Sequence, residues 1–225
     1  MSKKLLRRPT VNWKSHTLRI LLLTLGLGLI VAACKDSEGN KKNIQGIVEG
    51  PLADGCPGVT YPDWQTSPYV LPYPVGKAYE INLSTCGGSY HSQGRPDEFA
   101  IDFDMAIGTL ITACRPGTVV HVVESGFDGN HPNNLVVVDH GDNTYAEYMH
   151  LTHDGALVNV GDKVKQGDDI GLSGSTGLAG YPHLHFVVAE GSWQWPYEST
   201  PVTFSNTMSN VRSLASGTKY EAYPY

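Results

Sequence analysis

From residue 99 onward the chain is a succession of short apolar segments, rich in β-branched and aromatic residues, too brief and too closely spaced to be helices. They cover residues 99–103, 110–113, 118–124, 135–139, 144–149, 169–173 and 183–189 and are expected to be strands. Gly117-Thr118, Gly141-Asp142-Asn143, Gly161-Asp162 and Gly167-Asp168 supply the turns, since glycine provides the positive φ that tight reversals often need. No window carries an apolar stripe of helical period and useful length. The expected fold is therefore all-β, compact and mostly antiparallel. Two β-prone pieces in the tail, 201–204 and 220–223, should add edge strands. Residues 61–79 hold four prolines and several aromatics without a period, which suits an extended arm lying over a sheet.

One of these strands is chemically unusual. In Tyr181-Pro182-His183-Leu184-His185-Phe186-Val187-Val188 the alternation of a strand sends His183 and His185 to the same face. Their Cα atoms would lie on the order of 7 Å apart, so the two imidazoles can share one metal, or one can bind it while the other handles a proton.

The first 33 residues contain six Lys and Arg and no acid, with an uncharged run from 20 to 33 ending at Cys34. Fourteen uncharged residues are short for a bilayer span, so a secretory signal is expected. Val31-Ala32-Ala33-Cys34 resembles a bacterial lipobox, which implies cleavage before Cys34 and lipidation of its thiol. Acyl chains would then hold the protein at a membrane, placing it in the cell envelope on the periplasmic or cell-surface side. Loss of residues 1–33 leaves ten Lys and Arg against 22 Asp and Glu, a formal charge of −12. A body this acidic is a poor partner for nucleic acid or for an anionic lipid surface. Residues 34–60 are expected to be a flexible tether without fixed structure, and residues 61–225 one domain. Cys56, Cys86 and Cys114 remain, and a compartment that permits disulfides allows at most one internal bridge among three. Cys56 and Cys86 both lie in Gly-rich irregular sequence and are the favoured pair; Cys114 follows an apolar segment and suits a buried site.

Three earlier stretches, Ser89-Tyr90-His91, Phe99-Ala100-Ile101-Asp102-Phe103 and Tyr148-Met149-His150-Leu151, precede Gly171-Leu172-Ser173-Gly174-Ser175-Thr176-Gly177 and the closing His-Leu-His-Phe. In this order they resemble the lysostaphin-type, or LytM-like, zinc metallopeptidases of bacterial cell walls, over a core of about 90–190. The resemblance implies a sheet or open barrel of the lysostaphin type, also described as a duplicated hybrid motif. It further implies one zinc ion held by His91, Asp102 and His185. Three protein ligands leave zinc an open position, the mark of a catalytic site, where the ion would acidify water and polarise the scissile carbonyl. His150 and His183 would do the proton work, with His183 as general base and His150 stabilising the oxyanion or serving the leaving amine, or with these roles exchanged.

The chain departs from the commonest family pattern in two places. Ten residues separate His91 from Asp102 where three are usual, so Asp97, Glu98 and Asp104 compete with Asp102 for the carboxylate position. Val187 stands where many relatives carry an acid, so a contact behind the ligands is expected to be missing. His121, His131, His140 and His153 are expected to have structural or surface roles. Tyr145, Tyr148, Trp193 and Trp195 are candidates to line the groove, and 174–177 a loop at its edge. The implied function is a monomeric, lipid-anchored zinc endopeptidase that hydrolyses peptide crosslinks of peptidoglycan. The alternative is a relative without catalysis that binds peptidoglycan or activates other wall hydrolases. A cupin-like metalloprotein would need a further histidine after His185, and the chain has none.

Overall fold

The computed structural model describes residue 53 and residues 55–225. The expected signal sequence, Cys34 and most of the expected tether lie outside the described residues. Among those described there are twelve strands: β1 (Ala78–Leu83), β2 (Ile101–Asp104), β3 (Leu110–Thr112), β4 (Gly117–Val123), β5 (Leu135–Asp139), β6 (Thr144–Met149), β7 (Leu151–Ala156), β8 (Lys163–Val164), β9 (Asp169–Ser173), β10 (His183–Glu190), β11 (Glu198–Ser199) and β12 (Lys219–Glu221). The only helical element among them is one 3₁₀ turn, Trp64–Thr66, and no helix there is long and apolar enough to cross a membrane.

Every pairing between these strands is antiparallel. The large sheet runs β12-β1-β2-β10-β6-β5-β4-β8, with β11 added to the end of β10, and a small sheet runs β3-β9-β7. The strand that holds the His-x-His is thus central. Alternation along it divides the protein. Leu184, Phe186 and Val188 point into the main core with Ile101, Phe103 and Tyr148 from neighbouring strands and Ile111, Ile170 and Leu151 from the small sheet. His183, His185, Val187 and Ala189 therefore occupy the other face, where Val187 and Ala189 pack with Ala100 and Tyr197.

The seven expected strands are all present. β7 lacked a sequence signal, because Leu-Thr-His-Asp-Gly-Ala shows no clean alternation and its pairing with β9 slips between Leu151 and Ala156. The arm before β1 is irregular, and Tyr69, Leu71 and Tyr73 in it are buried against the core. In the tail, β12 is the expected edge strand, but 201–204 is not a strand. Val202 and Phe204 are core residues reached by an irregular segment, with Asn210 supplying the hydrogen bonds to Phe204 that a neighbouring strand would have made.

Cys56 and Cys86 form the disulfide, with Cα atoms 5.1 Å apart. The ordered body consequently begins earlier than the tether boundary at residue 60 allowed: Ala53 and Cys56 are buried, and the Cys56 amide donates to the Tyr61 hydroxyl at 3.0 Å. A crosslink to residue 86 holds this stretch in place. Cys114 is free and fully buried. Tyr148 Oη donates to its Sγ at 2.9 Å, and burial pushes the thiol up to about 12, so it is inert packing.

Candidate metal centre and active site

Asp102 reaches the site through strand register, since β2 and β10 pair with His185 directly opposite Asp102. His91 reaches it through the loop after β1. That loop is held by the disulfide at Cys86, by the Cys86 amide donating to the Glu98 carbonyl at 2.7 Å, and by a bridge between Gly88 and His91. His91 Nδ1 lies 3.3 Å from the Ser84 carbonyl. A carbonyl can only accept, so Nδ1 carries the proton and Nε2 presents its lone pair.

The three donor atoms converge. His185 Nδ1 is 2.9 Å from Asp102 Oδ1, His91 Nε2 is 3.3 Å from His185 Nδ1, and His91 Nε2 is 3.4 Å from Asp102 Oδ1. Tetrahedral zinc with bonds of about 2.0–2.1 Å has neighbouring ligand atoms about 3.3 Å apart. The triangle is therefore the right size for one zinc ion, and its donor set is the right kind. The electrostatics agree. Burial opposes charge on His185, but the carboxylates of Asp102 and Asp97 outweigh it and push the imidazole up to about 10. Burial would likewise raise Asp102, yet the hydrogen bond from His185 holds its carboxyl far below the usual range. Positive charge is favoured at this point.

His183 and His150 stand beside the triangle. His183 Nε2 is 3.7 Å from Asp102 Oδ1, and the His150 and His183 rings are 4.7 Å apart. Each is fixed in one tautomer: His183 Nδ1 donates to the Tyr181 carbonyl at 2.8 Å and His150 Nδ1 to the Thr176 carbonyl at 2.7 Å. Both Nε2 atoms are left as bases. Burial, reinforced by His185 and His183, pushes His150 down to about 3. Burial also lowers His183, with Asp102 opposing. His150 sits between β6 and β7 with φ 65°, a conformation few non-glycine residues adopt, and its amide is held by Asn133 Oδ1 at 3.0 Å. The loop bearing Thr176 closes on Asn133 at Gly177, where φ is +73° and a Cβ would come within 2.6 Å of the Asn133 Cβ.

All five site residues expected from the sequence are thus assembled and buried. Among the rivals to Asp102, Asp104 is exposed and Glu98 turns back to accept from the Gly94 amide at 2.5 Å. Asp97 is buried, but on the far side of His185, 3.5 Å from Nε2. That position was not legible in the sequence. Glu147 was also missed: it lies opposite Val187 across the β6–β10 pairing and is buried, with Oε1 lacking a hydrogen-bond partner. The groove over the site is a cleft of about 480 Å³ whose walls include Tyr90, Leu178, Tyr181, Trp195 and His131. Tyr148 does not line it, since alternation turns that ring into the core, and Trp193 stacks on His121 at 4.6 Å.

An antiparallel β body thus brings two imidazoles and a carboxylate around one point that could hold a zinc ion, with two further imidazoles beside it. Residues 97–196 match the model of Peptidase family M23, and the chain carries a domain of that family. It is 32% identical over 157 residues to the glycyl-glycine endopeptidase ALE-1 of Staphylococcus capitis, covering 68% of this chain and 38% of the relative. It is 42% identical over 87 residues to the peptidoglycan DD-endopeptidase ShyA of Vibrio cholerae, covering 38% of this chain and 18% of the relative. The solved catalytic domain of lysostaphin from Staphylococcus simulans is 33% identical, with a TM-score of 0.37 over 56% of this chain and 80% of that one. The chain spans between about a fifth and two fifths of the length of the curated relatives named here.

Proposed function

We propose that this protein is a zinc-dependent endopeptidase that hydrolyses peptide crosslinks of peptidoglycan during cell-wall remodelling. The observation that carries this is the pairing of a complete donor triangle, His91, Asp102 and His185, with two histidines whose only free nitrogen is a lone pair. When bound, zinc would supply Lewis acidity to water and to the scissile carbonyl. The chain's own residues do the rest. His183 accepts the proton of the attacking water at Nε2, and its depressed pKa keeps it neutral and ready near pH 7. His150 Nε2 has no proton to offer an oxyanion in the resting tautomer, so it acts first as acceptor and can donate to the leaving amine only once protonated. Wall peptides are supported as substrate by the peptidoglycan and glycyl-glycine endopeptidases among the relatives.

The resemblance of Val31-Ala32-Ala33-Cys34 to a lipobox supports anchoring to a bacterial membrane on its periplasmic or cell-surface side. The test is incubation of the full chain with purified crosslinked muropeptides, with and without a chelator, the products being read by mass spectrometry. Zinc-dependent cleavage is expected, and it should vanish in His185→Ala. A folded, zinc-loaded protein that cuts none of several wall types would instead be a binding or activating relative.

A further inference from the structure

A metal-ligating imidazole is oriented by what its second nitrogen touches, and a carboxylate there commonly changes metal affinity by about 10–100-fold. His91 meets this requirement with the Ser84 carbonyl. For His185 the facing group is Asp97, whose Oδ1 is 3.5 Å from Nε2. This separation is long for a hydrogen bond, and Nε2 is buried with no nearer partner among the described residues. Asp97 is itself fixed. Tyr197 Oη donates to the same Oδ1, the Asp97 carbonyl accepts from the Ala100 amide at 3.0 Å, and Tyr197 packs on Val187 and Ala189 of the same strand as His185. Asp97 lies across the ring from Nδ1, so it cannot join the donor triangle; it can only act through His185.

We infer that Asp97 is a positioning residue for the metal centre: its carboxylate, oriented by Tyr197, accepts from His185 Nε2–H and so fixes Nδ1 as the ligand atom. The ten-residue excursion between His91 and Asp102 then has a purpose, because it carries a second carboxylate behind the ligand pair. Val187, two residues beyond His185 on the same face, leaves no carboxylate of its own strand to do this. The inference rests on the zinc assignment made above.

The experiment measures zinc affinity of the full chain by competition with a chromophoric chelator, zinc being the only probe, alongside thermal unfolding of the metal-free protein. Asp97→Ala should weaken zinc binding about 10–100-fold. Asp97→Asn, which keeps an acceptor oxygen, should retain part of that affinity, and Tyr197→Phe should lose a smaller factor. In Asp97→Ala a carboxylate restored on the same face by Val187→Glu should recover affinity. Tight wild-type binding with Asp97→Ala and Asp97→Asn both within twofold of it overturns the inference and leaves the zinc assignment intact. Should Asp97→Ala fail to fold, Asp97→Asn and Tyr197→Phe decide: unchanged affinity in both overturns it equally. A wild-type chain that binds no zinc refutes the metal assignment itself, and the inference with it.

Discussion

Leu184, Phe186 and Val188 project from one face of β10, and His183, His185 and Val187 from the other; all six are buried. On the first face burial is itself the stabilising term, roughly 1.5–3 kcal/mol for each large apolar side chain. On the second, burial opposes every charged form present and is tolerated because imidazoles and carboxylates compensate one another. A strand can therefore be uniformly inaccessible while one side closes the core and the other holds a reactive site. The difference lies in what each face is paired with, and Glu147, opposite Val187, shows the limit. It has no compensating partner at Oε1.

The largest effect should come from His183→Ala, which leaves the donor triangle and the core face untouched. A kcat lowered by about 10²–10⁴ with zinc affinity retained is expected, read by steady-state kinetics beside a zinc titration. An unchanged kcat would pass the role of base to His150. On the core face, Phe186→Ala should cost about 3–5 kcal/mol in urea unfolding, while any refolded fraction keeps its zinc stoichiometry. Loss of zinc from that fraction would mean that the two faces are not separable.

A third substitution probes the mismatch between them. Burial, with Asp97 adding to it and His185 opposing, pushes Glu147 up from 4.5 to about 8. A carboxyl raised on folding contributes stability that is complete below about pH 4.5 and is lost as pH climbs through about 8. Across this window the native chain holds a proton that the unfolded chain has released, so wild-type stability should fall by up to about 1.4 kcal/mol per pH unit. Glu147→Gln should remove that slope and be more stable than wild type at pH 8.5, with little difference at pH 4. Parallel stability curves for the two proteins would show that Glu147 ionises normally. The smallest effect is expected from Tyr148→Phe, which deletes the donor to Cys114 Sγ and the acceptor of the Cys114 amide. It should cost about 1 kcal/mol without altering zinc binding, as judged by the same two assays.

Much of the site was legible because its elements are local. The same-face placement of His183 and His185 follows from the period of a strand alone, whereas Asp102 is what the family resemblance of its strand implies. Cys56 and Cys86 were a reasonable pair because both lie in irregular sequence. The expected tether, 34–60, overlaps buried structure at Ala53 and Cys56, because the Cys56–Cys86 crosslink orders the chain around it. β7 was hidden by its polar composition, and 201–204 imitated a strand because a segment that buries alternate residues looks the same whether or not it is paired.

The amino-acid sequence by itself determined the all-β character, the two faces of β10 and which residue types could meet a zinc ion, since these depend on side-chain chemistry and on a two-residue repeat. Only the tertiary structure decided which groups stand behind them. Asp97 facing His185, Glu147 opposite Val187 and the turned backbone of His150 held by Asn133 all arise from strand register and loop closure between distant residues. Such pairings are set by the packing of the whole sheet, and no local pattern encodes them.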